Sequence, residues 1–294
     1  MEFAQGIIIS VIAGYYYVEH AGKAYLCRAR GKLRLDDLPP MAGDMVLFSP
    51  GPDDTGTVEQ VLPRRNYLLR PAVANIDAVI IVLAPEKPAP NLLMADKLLA
   101  LIKSQGLSAL LCINKADLGT QAARELADIY KDAGVTTVIC SALTGEGMGA
   151  LLAAIGGMTV VLAGQSGVGK SHISSRIAGK QLELPVQVGN LSAKIGRGKH
   201  TTRQVSLLPL PGGGKVADTP GFSVFELEME SRELQLHYPE FSRSALCKFS
   251  PCSHIHEPEC AIKQDVEAGQ ITKTRYDNYV KIYYELVEKE ANRY

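Results

Sequence analysis

The sequence predicts a multidomain protein: an N-terminal β-barrel of the oligonucleotide-binding (OB-fold) type, a central α/β domain built around a phosphate loop, and a mainly helical, zinc-binding C-terminal domain. Three observations carry that prediction. Residues 1 to about 70 hold short β-type runs broken by Gly, Pro and Asp, with no helical period. From Ile76 onward, apolar strand-like runs alternate with helical stretches. Beyond Phe222 the chain turns polar and helical and contains a cluster of Cys and His. The three domains are accordingly placed at 1–70, 71–222 and 223–294.

A chain of 294 residues has room for about two or three domains. Hydrophobic residues make up 46% and charged residues 21%, so a soluble globular protein with real cores is expected. Lys plus Arg and Asp plus Glu are equal at 31 each, which excludes a global field for nucleic acid and leaves only local patches. The apolar run 6–14 is too short to span a bilayer, and no basic segment precedes it as in a signal peptide. A cytoplasmic protein with no membrane partner is therefore expected. In such a reducing compartment six cysteines do not read as a disulfide framework. Cys27, Cys112 and Cys140 lie in apolar runs and read as buried thiols.

In the first domain the strand candidates are 6–17, 24–30, 45–48 and 56–61, and a five-stranded barrel fits the length. Arg28, Arg30, Lys32 and Arg34 alternate with Cys27, Ala29, Gly31 and Leu33. A period of two puts four cations on one face of a strand or hairpin, which suits a phosphate backbone and equally a solvated barrel face. Arg64 and Arg65 would extend the patch.

The central domain offers strands at 78–83, 109–113, 136–140 and 159–163, separated by helices at 92–103, 121–132 and 148–154. Near-continuous apolar strands with intervening helices indicate a parallel sheet covered on both faces. Gly164-Gln165-Ser166-Gly167-Val168-Gly169-Lys170-Ser171 follows the last strand and precedes a helix that can start at Lys170. Such a loop turns backbone N–H groups around phosphates, places Lys170 against the β and γ oxygens, and offers the Ser171 hydroxyl to Mg²⁺. Asn114-Lys115-Ala116-Asp117 ends another apolar strand, on the same carboxyl edge of the sheet. There Asp117 can accept from two edge N–H groups of guanine that adenine does not match, Asn114 can brace the loops, and the Lys115 stem can cover the base. Ser141-Ala142-Leu143 reads as its companion loop.

Asp218-Thr219-Pro220-Gly221 follows the β-like run Lys215-Val216-Ala217, which suits Asp218 to orient Mg²⁺ through water and the Gly221 N–H to meet the γ-phosphate. Thr201 or Thr202, in Gly196-Arg197-Gly198-Lys199-His200-Thr201-Thr202-Arg203, is expected to close over Mg²⁺ when GTP is present. Phe222 stands where many signalling GTPases carry a water-orienting Gln, so intrinsic turnover should be slow and partner-dependent. His200 is the internal candidate for placing water, or else an RNA contact. The base-reading loops precede the phosphate loop and the sensing turn comes last, so this is a GTPase motif set in circularly permuted order.

Cys247-x4-Cys252-x-His254-x5-Cys260 supplies three thiolates and one imidazole, enough for one closed, structural zinc site, with His256 as a competing ligand. On a final helix near 274–292, Tyr276, Tyr279, Tyr283 and Leu286 recur at helical spacing, as a packing stripe does.

Together these residues resemble the circularly permuted GTPases that act on the small ribosomal subunit, the RsgA or YjeQ/YloQ type. The resemblance covers essentially the whole chain, including Arg70-Pro71-Ala72-Val73-Ala74-Asn75-Ile76-Asp77 at the start of the GTPase domain. It implies a monomeric GTPase stimulated by the 30S subunit, active late in that subunit's maturation, binding 16S rRNA through its barrel and zinc domains. It implies GTP and GDP as ligands, Mg²⁺ with GTP, and one structural Zn²⁺. His172 follows the phosphate loop where a small or hydroxyl residue is more familiar, and Lys199 stands where Arg is common. Two other readings belong to different classes: an RNA-binding assembly factor that uses GTP only as a conformational ligand, and an ATP-using phosphate-loop enzyme, against which Asp117 argues. The permuted order runs the sensing turn straight into the C-terminal domain. Loss of the γ-phosphate at Gly221 is thus expected to be transmitted there, and deletion after Phe222 to leave guanine recognition recoverable.

Overall fold

The computed structural model describes residues 3–34, 38–179, 205–218 and 227–292. They divide into two compact units, the first drawn from Met1–Ala78, Ile155–Leu162 and Ser174–Phe222, the second from Val79–Ala154, Ala163–Ile173 and Ser223–Tyr294.

Two Ala-Gly pairs start the first unit's barrel. β1 (Ala4–Ile12) and β2 (Tyr15–His20) are joined through Ala13 and Gly14, with φ of 50° and 79°. β2 and β3 (Lys23–Ala29) are joined through Ala21 and Gly22, with φ of 49° and 75°. Two consecutive residues at positive φ make the tight turn whose twist matches that of the flanking strands. The run 6–17, expected as one strand, is therefore two. Alanine is a weak left-handed residue, so no Asn-Gly or Asp-Gly signal marked the break. β4 (Met45–Pro50) and β5 (Thr55–Val61) complete the order β1-β2-β3-β5-β4, and antiparallel pairing of β1 with β4 closes the five-stranded barrel. Ile8, Val18, Cys27, Val46, Phe48 and Val58 fill its core.

The cation row is shorter than its alternation predicted. β3 ends at Ala29 and residues Gly31–Arg34 form a 3-10 turn, so the period of two does not continue through Lys32 and Arg34. Arg28 lies 5.1 Å from the Tyr15 ring centre and donates to its hydroxyl at 2.7 Å, while Arg30 pairs with Glu59 at 2.8 Å. Arg64 does not extend the patch. It forks onto the buried Asp44 carboxylate at 2.7 and 2.8 Å, and Arg65 pairs with Asp77 at 2.9 Å. These ties brace a short hairpin, β6 (Tyr67–Leu69) with β7 (Ala72–Ala74), which the sequence pattern did not reveal.

The second unit takes up the strand and helix alternation. β8 (Ala78–Leu83) is buried throughout. α1 (Leu92–Ser104) starts where the Asn91 side chain accepts the Met94 N–H at 3.0 Å. β9 (Ser108–Ile113), α2 (Thr120–Ile129), β10 (Thr136–Ile139) and α3 (Met148–Ala154) follow. The strands lie in the order β10-β9-β8, with β9 and β10 parallel and Ile113 opposite Ile139. Cys112 and Cys140 are buried free thiols, as is Cys27 in the barrel.

β11 (Thr159–Ala163) leads into α4 (Lys170–Ile177), and β12 (Ser206–Pro209) and β13 (Lys215–Asp218) follow. Within the first unit β11 pairs in parallel with β13, β13 antiparallel with β12, and β12 antiparallel with β1 at Ser10. The barrel and these strands thus share one sheet.

The C-terminal part of the second unit contains a 3-10 segment (Ser231–His237), α5 (Ala261–Glu267) and α6 (Lys273–Ala291). Leu234, Tyr238, Phe241, Tyr279, Ile282 and Leu286 form its core together with Ala100 and Leu101 of α1. Tyr276 and Tyr283 pack against it partly buried, so the tyrosine stripe is a packing face. Beside it Arg275, 2% exposed, donates Nη1 to Asp96 at 2.5 Å and Nε to Glu240 at 2.7 Å, while Asn278 donates to the other Asp96 oxygen at 2.7 Å. Burial of this cation is tolerable only because both carboxylates accompany it. Among the described residues no helix is long and apolar enough to cross a membrane.

Candidate functional site

Asn114, the residue on which β9 runs out, organises the candidate nucleotide site in the second unit. Its side chain is 2% exposed, donates Nδ2 to the Val168 carbonyl at 2.8 Å and accepts the Ala142 N–H on Oδ1 at 2.9 Å. A carboxamide carries donor and acceptor on one rigid plane, so a single residue joins loops 114–117, 141–142 and 164–171. Lys115, at φ 65°, donates Nζ to the carbonyls of Gly167 at 2.7 Å and Lys87 at 2.5 Å, laying its stem across the phosphate loop. Asp117 is exposed, with Oδ1 accepting the Ser141 hydroxyl at 2.5 Å. Ser141 Oγ in turn accepts the Thr144 N–H at 3.1 Å, so the companion loop sets the orientation of the carboxylate.

Two glycines of the phosphate loop have no room for a side chain. A Cβ at Gly164 (φ 135°) would lie 2.3 Å from the Val82 carbonyl oxygen, and one at Gly169 (φ 97°) 2.3 Å from Asn114 Nδ2. Lys170 begins α4, and its Nζ donates to the carbonyls of Gly164 at 2.7 Å and Gln165 at 2.9 Å. Partial burial lowers its pKa from the ordinary lysine value. The Gln165 Oε1 atom is buried with no hydrogen-bond partner among the described residues, while Ser166, Ser171 and His172 are exposed. Such a loop offers an ammonium, a hydroxyl and a ring of main-chain groups to an anion.

Asp218 is exposed at the end of β13, in the first unit. His200, Thr201, Thr202 and Gly221, together with Thr219, Pro220 and Phe222, lie outside the described residues.

The candidate metal centre also belongs to the second unit. One ligand atom each from Cys247, Cys252, His254 and Cys260 falls within 4.8 Å of all the others. Cys247 Sγ lies 3.8 Å from Cys260 Sγ and 3.5 Å from His254 Nδ1, and Cys260 Sγ lies 3.4 Å from His254 Nδ1. A tetrahedral ion with metal–sulfur bonds of about 2.3 Å and a metal–nitrogen bond of about 2.0 Å requires edges of about 3.8 and 3.5 Å. The donor set therefore matches a closed site that could hold a metal. His256 takes no part: its Nε2 lies 2.8 Å from the Tyr284 hydroxyl. Burial lowers the pKa of His254, favouring the neutral ligand form. Its Nε2 faces Gln235 Oε1 at 2.8 Å, which fixes the ring. Gln235 was missed because a ring-orienting residue obeys no spacing rule. The Arg275 network left one signal, a lone Asp96 in the apolar helix Leu92–Ser104.

Comparison with known proteins extends these observations. The RsgA GTPase family matches residues 61–228 and the RsgA N-terminal domain family residues 5–58. The chain is 40% identical over 296 residues to the small ribosomal subunit biogenesis GTPase RsgA of Caldanaerobacter subterraneus subsp. tengcongensis, spanning 100% of this chain and 99% of that relative. YjeQ from Thermotoga maritima superposes with a TM-score of 0.78 at 37% identity, covering 97% of this chain and 99% of its own. YloQ, described as a circularly permuted GTPase, gives a TM-score of 0.74 at 30% identity, covering 98% and 96%.

Proposed function

This chain belongs to the RsgA GTPase family, and from that premise we propose that it is a GTP hydrolase that binds the maturing small (30S) ribosomal subunit, is stimulated by it, and leaves it according to nucleotide state. The observation that carries the reading is the Asn114 carboxamide, which holds the guanine-selective loops and the phosphate loop in one arrangement through bonds of 2.8 and 2.9 Å.

In this mechanism Asp117 accepts from the guanine edge while Ser141 holds its other face. Lys170 exchanges the carbonyls of Gly164 and Gln165 for phosphate oxygens. Partial removal from water strengthens its attraction for the developing negative charge. Ser171, Asp218 and either Thr201 or Thr202 are the residues that would hold Mg²⁺, which would offset the negative charge of the triphosphate. Gly221 supplies its N–H to the γ-phosphate. With Phe222 in place of an amide side chain, placing the attacking water falls to His200 or to the ribosome. Cys247, Cys252, His254 and Cys260 would hold one structural Zn²⁺: the three edges among Cys247, His254 and Cys260 fit that ion, and Cys252 Sγ lies within 4.8 Å of them. Arg28, set over the Tyr15 ring, is the barrel cation proposed to meet 16S rRNA, with Arg30, which also pairs with Glu59, as its neighbour. The protein would work in the cytoplasm as a monomer.

The test is hydrolysis of GTP and ATP with and without purified 30S subunits. GTP turnover should be slow alone and rise steeply with subunits, and ATP should be a poor substrate. A rate indifferent to subunit concentration, or preference for ATP, would overturn the proposal.

A further inference from the structure

The barrel is tied to the nucleotide-sensing strands through one buried hydroxyl. Ser10 of β1 is 2% exposed, donates Oγ to the Val205 carbonyl at 3.2 Å and lies 3.0 Å from the Ser206 hydroxyl. Ser206 pairs with Ser10 on one side and with Asp218 on the other, so the three residues form a single row across β1, β12 and β13. Directly opposed residues of an antiparallel pair project from the same face. The row therefore ends on the carboxylate assigned to Mg²⁺.

A bulge aims Ser10 this way. Ile8 opposes Val18 and Ser10 opposes Tyr17, so Ile9 is an extra residue in β1. Regular alternation would turn Ser10 to the same face as Ile8, which is wholly buried in the barrel core. An inserted residue re-aims the side chains that follow it. A second tie spans the same seam, where Lys215 of β13 donates to Glu19 of β2 at 2.6 Å with both side chains largely buried.

We infer that Ser10 is a positioning residue for GTP hydrolysis: from the barrel it fixes, through Ser206, the register of Asp218. The inference rests on the proposed guanine-nucleotide site, because it takes Asp218 as the carboxylate assigned to the Mg²⁺ that accompanies GTP. Ser10 is not among the residues assigned to the nucleotide. Its effect should fall on the triphosphate state alone, since the base-reading loops belong to the other unit.

The experiment is titration of the full-length wild type, Ser10→Ala and Ser10→Thr with fluorescent GDP and with a fluorescent non-hydrolysable GTP analogue in Mg²⁺. Loss of one buried hydroxyl bond should weaken binding of the analogue about three- to tenfold in Ser10→Ala, leave GDP within about twofold, and be restored by Ser10→Thr. Ser206→Ala should reproduce the effect and serves in its place if Ser10→Ala does not fold. An unchanged ratio of the two affinities, or an equal loss of both, would overturn the inference. Failure of the wild type to bind either nucleotide would instead sink the functional reading on which it rests.

Discussion

Replacing Asn114 by Ala probes the nucleotide site at the point where its three loops meet. The substitution removes the Asn114 bonds to the Val168 carbonyl and the Ala142 N–H, together with a long contact from the Cys140 thiol, from a side chain that is 2% exposed. A buried polar group left unpaired costs about 1–3 kcal/mol, which puts the ceiling near 6 kcal/mol for the pair. The neighbours Lys115 and Ser166 are partly or fully exposed, so water can recover part of that cost and about 2–4 kcal/mol is the expected loss. That corresponds to GDP binding weakened about 30- to 1,000-fold. Asn114→Asp is the sharper control: it keeps an acceptor for Ala142 but sets a carboxylate against the Val168 carbonyl, and should be at least as damaging. Equilibrium titration with fluorescent GDP, alongside thermal unfolding of the same samples, separates lost affinity from lost fold. If Asn114→Ala binds GDP within about threefold of wild type, the carboxamide does not hold the site together.

Three further outcomes follow from local geometry. Gly169→Ala should abolish nucleotide binding while leaving secondary structure intact by circular dichroism, because its Cβ would lie 2.3 Å from Asn114 Nδ2 at a φ of 97°. Arg275→Met should destabilise the fold by about 3–5 kcal/mol and lower the melting temperature by roughly 10 °C, since Asp96 and Glu240 would remain buried without their cation. Metal analysis should find one zinc per chain in the wild type and in His256→Ala but little in His254→Ala, and strong chelators should expose the core around Phe241 and Cys260 to proteolysis.

What could be read in advance, and what could not, follows from the range of each signal. The phosphate loop, Asn114 to Asp117 and the zinc ligands are contiguous or closely spaced because a small ion or one ring of a nucleotide must be reached from a few adjacent positions. The structure joins Asn114 to the phosphate loop and to Ala142, and gathers the four Cys and His ligand atoms within 4.8 Å of one another. The boundary at Ala13 was invisible because a left-handed alanine resembles any alanine in sequence. The cation row failed beyond Arg30 for a related reason: alternation describes a strand only while the strand lasts, and Gly31 opens a 3-10 turn. Arg64 looked like a surface cation because its partner Asp44 lies 20 residues earlier. Gln235 and Ser10 act through contacts at long range that no local pattern encodes, and Asp96 showed only as an acid in an apolar helix, without its partner.

The same long-range contacts change what a truncation can establish. From motif order alone, deletion after Phe222 should leave guanine recognition recoverable, because every base-reading residue precedes that point. The core of the second unit argues otherwise. Ala100 and Leu101 of α1 are packed against Tyr238, Phe241, Tyr279 and Ile282, and Asp96 of the same helix takes its cation from Arg275. Cutting at residue 222 would strip the apolar side of that face of its cover and remove the Arg275 cation and Asn278 amide that Asp96 is built against, a loss of several kcal/mol against a domain stability of about 5–15 kcal/mol. Since α1 leads directly into β9 and Asn114, the truncated chain should bind GDP poorly for reasons unrelated to signalling. Thermal unfolding of the truncated chain beside its GDP titration tests this account, because lost packing and a lost contact separate there. A lower melting temperature together with weak GDP binding would assign the defect to the stripped face of α1; normal GDP binding by the truncation would show that the C-terminal domain is dispensable to the base-reading loops after all.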